Sequence, residues 1–120
     1  MELSKFERSV IEVMIQGDPE EAVLREQLHH AVVIERDYTG IGLYVKLQVA
    51  EAVLPAKLSN RYIESTPMAF LKHPALDSGA QAMLWFKDAR MNTLECVTLA
   101  GEWPSDESQF VAEPYAIPGS

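Results

Sequence analysis

The segment from Gly79 to Leu99, GAQAMLWFKDARMNTLECVTL, constrains the fold of this chain more than any other stretch. An apolar run containing Trp85 and Phe86 meets the polar tetrad Lys87-Asp88-Ala89-Arg90, and a second run rich in Thr, Val and Leu follows. Aromatic and β-branched residues on both sides of a short polar turn are the order of two antiparallel strands, because such side chains fill a pleated, half-buried surface. With three loop residues, Leu84 faces Leu94 and Ala82 faces Cys96, which leaves Met83, Trp85, Thr93 and Glu95 on the other face. A two-residue loop would re-pair these positions and mix the faces, so the three-residue or bulged register is expected.

Two helices are expected ahead of the strands. Ser4 and Glu7 have the spacing of a capping box, Phe6, Val10, Val13 and Met14 with Ile11 form an apolar stripe, and Gly17 supplies a stop. Asp18-Pro19-Glu20-Glu21 is a second start signal, with Pro suited to the first helical position and acids at the positive end of the dipole. Val23, Leu24, Leu28 and Ala31 give that helix its apolar face, and Glu21 stands four residues before Arg25, the favourable order for a surface ion pair.

From Ala31 the period changes. AVVIERDY turns at Thr39-Gly40 into IGLYVKLQVA, where Leu43, Val45, Leu47 and Val49 alternate with Tyr44, Lys46 and Gln48, so one face is dry and the other wet. Pro55 makes 51–60 a connection, Arg61 to Ser65 and Met68 to Lys72 read as short strands, and His73-Pro74 as a solvent-facing turn. Gly101-Glu102-Trp103-Pro104 breaks the sheet, and Gln109 to Glu113 reads as an edge strand. The expected fold is α+β: two N-terminal helices packed on a mainly antiparallel sheet of four to six strands, one domain over 1–113, with 114–120 as an extended tail.

A chain of 120 residues with 48% hydrophobic content can bury a core without metal or disulfide staples. One cysteine, Cys96, no charged-then-apolar leader and no apolar run of about 20 residues point to a cytoplasmic setting with no membrane partner. The formal charge of −8 repels a phosphate backbone, which sets nucleic acid aside.

LSKFERSVIEVMIQGDPEEAVLREQL, then Tyr38-Thr39-Gly40-Ile41-Gly42, SGAQAMLWFKDARMNTLE and Glu102-Trp103-Pro104 together resemble a widespread group of small uncharacterised bacterial proteins. Their order is an FER-containing helix, an LRxQL helix, a YTGxG turn, an LLW(F/V)xDGRLxxLE hairpin and a terminal WP, and the resemblance covers about four fifths of the chain. It implies the same fold and no particular activity. One position departs from the group: Ala89 stands where Gly is usual, which disfavours a turn needing positive φ there by roughly 1 kcal/mol or more.

Catalytic and metal chemistry finds few candidates. Adjacent helical residues diverge by about 100°, so His29 and His30 do not chelate one ion, and one cysteine with three histidines makes no recurring zinc pattern. There is no nucleophile elbow, no dinucleotide fingerprint and no P-loop, and no cofactor is expected. Two function classes remain. One is a non-catalytic protein-interaction module, an adaptor or an inhibitor of a basic partner, using Tyr44, Met83, Trp85 and Trp103 as partner-binding side chains. The other is a small hydrolase-like enzyme in which folding brings His29 or His30 to Glu35, Asp37 or Cys96. A sheet covered on one side leaves its second face to a homodimer, or to the segment around Trp103 and Phe110 folding back over it.

Overall fold

The structure, a computed structural model, describes residues 1–56 and 68–114. Two helices, α1 (Lys5–Ile15) and α2 (Glu21–His30), precede six strands: β1 (Val32–Tyr38), β2 (Gly42–Gln48), β3 (Met68–His73), β4 (Leu76–Lys87), β5 (Arg90–Thr98) and β6 (Val111–Pro114). All pairings are antiparallel, in the order β1-β2-β5-β4-β3-β6, so the hairpin that dominates the sequence occupies the middle of the sheet. The expected α+β class holds, and β6 runs one residue into the segment read as a tail. The strand read at Arg61 to Ser65 and the rest of the tail, 115–120, lie outside the described residues.

Both helices pack on one side of the sheet, α1 over β3, β4 and β6, and α2 over β5. Their buried stripes, Phe6, Val10, Ile11, Met14 and Ile15 with Leu24 and Leu28, meet Leu43, Val45, Leu47, Ala82, Leu84, Leu94 and Cys96 from the strands. Each larger aliphatic side chain removed from water here contributes roughly 1.5–3 kcal/mol against chain entropy. The capping box forms as the spacing predicts: Ser4 Oγ accepts the Glu7 N–H at 3.0 Å and Glu7 Oε1 the Ser4 N–H at 2.8 Å. The second start is displaced. Asp18 receives the Glu20 N–H on Oδ1 at 2.8 Å and the Glu21 N–H on its carbonyl at 2.9 Å, closing a turn before the helix opens at Glu21.

The hairpin turn has only two residues in its loop, Asp88 and Ala89, both left-handed with φ of 52° and 63°, closed by the Lys87–Arg90 pair. The faces survive because Asn92 bulges out of β5 between the Phe86–Met91 and Trp85–Thr93 pairs. Met91 and Leu94, three residues apart, could not both face the core in a regular strand, and one extra residue restores the alternation. Glycine is needed at two places where backbone crowds backbone: a Cβ on Gly42 would run into the Cys96 carbonyl, and one on Gly79 (φ +72°) would lie 2.7 Å from the Leu71 carbonyl oxygen.

Three polar side chains, one fully buried and two partly buried, bind distant elements together. Gln27 is fully buried. Its Nε2 donates to the Leu54 and Ala89 carbonyls at 3.1 Å each, while its Oε1 accepts the Met91 N–H at 3.0 Å, tying α2 to the hairpin turn and to the chain after β2. Arg36, turned inward by a bulge at Ile34, grips the buried Glu7 carboxylate through Nε at 2.7 Å and Nη2 at 2.9 Å. Arg90 fastens the same post-β2 segment, donating to the Glu51 and Val53 carbonyls at 2.9–3.2 Å.

Candidate interaction surface

The side of the sheet away from the helices has, among the described residues, no element packed across it. Strand register sets its side chains in rows. Asp37, Tyr44, Glu95, Met83 and Met68 stand side by side across β1, β2, β5, β4 and β3, and Glu35, Lys46, Thr93 and Trp85 form the next row. Tyr44, Met83 and Trp85, three of the four residues expected to bind a partner, therefore share one surface, with Lys46 and Glu95 among them. Directly opposed side chains in such rows sit close enough to interact, which is why register decides the composition of the surface.

At its centre is Glu95. Its Oε1 accepts the Trp85 indole N–H at 3.0 Å and its Oε2 the Tyr44 hydroxyl at 3.3 Å, so two aromatic side chains from the flanking strands hold one carboxylate by neutral donors. Among the described residues no cation pairs with Glu95, and the nearest exchange of charge is the loose Lys46–Glu35 contact at 3.8 Å. Glu35, Asp37, Tyr44, Lys46, Trp85, Thr93 and Glu95 line an open concavity of about 370 Å³. The negative charge of Glu95, then partial desolvation, the hydrogen bond to Glu95 and the charge of Asp37 raise the Tyr44 phenol above its ordinary value. Tyr44 thus stays neutral and keeps its proton for Glu95.

Trp103 lies elsewhere. It closes the helix side, its ring 6.0 Å from Phe6 and 4.8 Å from Phe110, with its indole N–H donated to Glu107 Oε2 at 2.9 Å and its backbone N–H to the Gly40 carbonyl at 2.8 Å. The segment carrying Trp103 and Phe110 therefore folds onto α1 and does not return over the open face. His73, expected to face solvent, is buried instead: its Nδ1 accepts the Ala75 N–H at 3.0 Å, so Nε2 carries the proton and donates to the Asp106 carbonyl at 2.8 Å, with Phe110 against the ring. Residues arriving some thirty positions later produce that burial, which no local pattern could announce.

The parts of the hydrolase-like alternative are dispersed. His29 and His30 stand exposed at the end of α2, where His30 meets Glu26 at 2.9 Å. Glu35 and Asp37 project from the open face, and Cys96 faces the core opposite Ala82, where burial, with a smaller contribution from the Glu107, Glu7 and Glu95 charges, drives the thiol far above its ordinary value. A buried neutral thiol is a poor nucleophile. Among the described residues no three His, Cys, Asp or Glu groups are placed to hold a metal ion, and no helix is long and apolar enough to cross a membrane. Comparisons with family models, with curated proteins and with solved structures find no match. What the surface does must be read from its own geometry.

Proposed function

We propose that this chain is a non-catalytic protein-interaction module whose working surface is the sheet face turned away from the helices. The observation that carries this reading is the row arrangement itself: Tyr44, Met83 and Trp85 stand exposed or partly exposed on one hydrogen-bonded sheet, and all three residue types are enriched where proteins meet, Tyr and Trp giving large contact area at small entropic cost. Strands are a better scaffold than loops for such a constellation, and here Tyr44 and Trp85 are both oriented by hydrogen bonds to Glu95.

The test compares what the immobilised protein retains from a bacterial lysate with what a Tyr44→Glu/Met83→Glu variant and a Glu12→Ala control retain. Proteins kept by the wild type and the control but lost from the face variant support the reading. An identical retained set for all three, or none for any, defeats it.

A further inference from the structure

We propose that the partner taken by this face is a basic protein segment, an exposed strand or loop that places an arginine against Glu95 between Tyr44 and Trp85. This rests on the reading of the open face as the working surface and names the chemistry of what covers it.

Charge chooses the occupant. Among the described residues, the concavity brings three carboxylates, Glu35, Asp37 and Glu95, together with a single ammonium, Lys46, which is in contact with Glu35. A second copy of the chain would bring the same surplus and a formal charge of −8 of its own, so like charges would oppose self-association. A cationic segment reverses that sign. Its association would be steered by the field of the whole acidic chain and strengthened as water leaves the cleft.

The shape selects guanidinium over ammonium. Glu95 is held from both sides by hydrogen bonds from neutral groups, which orient the carboxylate without cancelling its charge. Each of its oxygens retains room for a further donor, since a carboxylate oxygen accepts more than one hydrogen bond. A planar guanidinium lying on the Trp85 ring presents a fork of N–H donors to such a carboxylate, whereas an ammonium offers a point charge with no matching plane. Asp37, beside Tyr44 in the same row, is placed for a second cation one strand away.

The probe is a blocked decapeptide alternating Arg and Thr, with a Glu–Thr decapeptide and a Lys–Thr decapeptide alongside, titrated into the full-length ¹⁵N-labelled protein. Trp85→Phe assigns the two indole N–H resonances. The expected result is a saturable shift of the Trp85 indole and not of the Trp103 indole, with the Arg peptide bound more tightly than the Lys peptide and no response to the Glu peptide. Glu95→Gln should weaken binding about tenfold or more, the scale of one charge-assisted hydrogen bond, while Glu12→Gln on exposed α1 should change it about twofold or less. Absence of a saturable shift overturns the inference. So does equal weakening by Glu95→Gln and Glu12→Gln, which marks diffuse attraction to an acidic protein. Light scattering of the free protein can overturn it as well: a dimer at twice 13.4 kDa that Trp85→Glu dissociates assigns the face to a second copy. If lysate capture still depends on the face while the Arg peptide fails, the interaction module stands and the basic partner falls.

Discussion

Replacing Ala89 with glycine should make the protein more stable. Ala89 sits at φ 63° as the second residue of a two-residue hairpin loop, where both residues must be left-handed and Asp-Gly is the favoured pair. Holding an L-residue other than Gly there costs about 1–2 kcal/mol. Glycine removes that cost but loses about 0.5–1 kcal/mol more backbone entropy on folding, so the net gain is about 0.5–1 kcal/mol. The Ala89 carbonyl, which accepts from the Ala56 N–H at 2.9 Å and from Gln27 at 3.1 Å, is a backbone atom and survives the change, so the variant isolates the dihedral contribution. With an unfolding entropy of about 2.1 cal/mol/K per residue, the gain over 120 residues corresponds to a Tm rise of about 2–4 °C. Thermal melts and urea titrations of wild type, Ala89→Gly and Ala89→Val provide the assay. Valine, β-branched and intolerant of positive φ, should lower the Tm. An Ala89→Gly protein with an unchanged or lower Tm would show that the turn stores no such strain.

Four further outcomes follow from the buried and partly buried groups. Gln27→Met, close in shape but without donors or acceptor, should destabilise by about 2–4 kcal/mol in urea, because it strands the Met91 N–H and the Leu54 carbonyl; a loss under a few tenths would contradict the network. Burial alone would raise the Glu7 carboxyl, but the Arg36 hydrogen bond, the Ser4 backbone N–H, the Arg36 charge and the Ser4 side chain together hold it below its ordinary value near 4.5. Its contribution is therefore complete above that value and is lost as the pH falls below it, so urea midpoints of Glu7→Gln should respond less to acid than those of wild type over that range. Arg36→Met should cost about 2–4 kcal/mol at neutral pH, somewhat under the cost of breaking a fully buried pair because the Arg36 side chain is 24% exposed. Cys96 should resist a disulfide reagent until the protein is unfolded, and rapid native-state labelling would contradict its placement against the core.

The periods in the chain carried most of the architecture. The stripe on α1, the alternation Leu43, Val45, Leu47 and the hairpin pairs Leu84–Leu94 and Ala82–Cys96 all follow from which residues must share a dry face. From these the open-face group Tyr44, Met83, Trp85 and Glu95 was already legible, since whatever is not core on an alternating strand lies opposite to it. Bulges set the limit of that reading. Ile34 and Asn92 each shift parity by one, which turns Arg36 inward and keeps both Met91 and Leu94 buried, and neither extra residue differs in kind from its neighbours. Gln27 was within reach: with Leu24, Leu28 and Ala31 it completes the apolar spacing of α2, and a glutamine at such a position must find partners inside. Glu7 was recognised for its cap alone, because its partner Arg36 comes from a strand 29 residues away.

The two sides of the sheet differ in what their polar groups hold together, and this bears on why the open face has its composition. On the helix side, Gln27 joins atoms 27 to 64 residues apart, and Arg36 reaches 29 residues back to Glu7, so removing either loosens contacts between elements. On the open face, Trp85 and Tyr44 bond to Glu95 across strands that the backbone ladder already pairs. Those side-chain bonds contribute the few tenths to 1 kcal/mol of a cross-strand pair, and Thr, another strand-favouring residue, would also suit the same rows. A half-exposed Trp beside Tyr and Met on an edge-bearing sheet adds an aggregation hazard that the fold itself does not require. Side chains that the fold could do without, arranged around a carboxylate that no cation among the described residues pairs with, are what the proposed partner-binding role of this face explains.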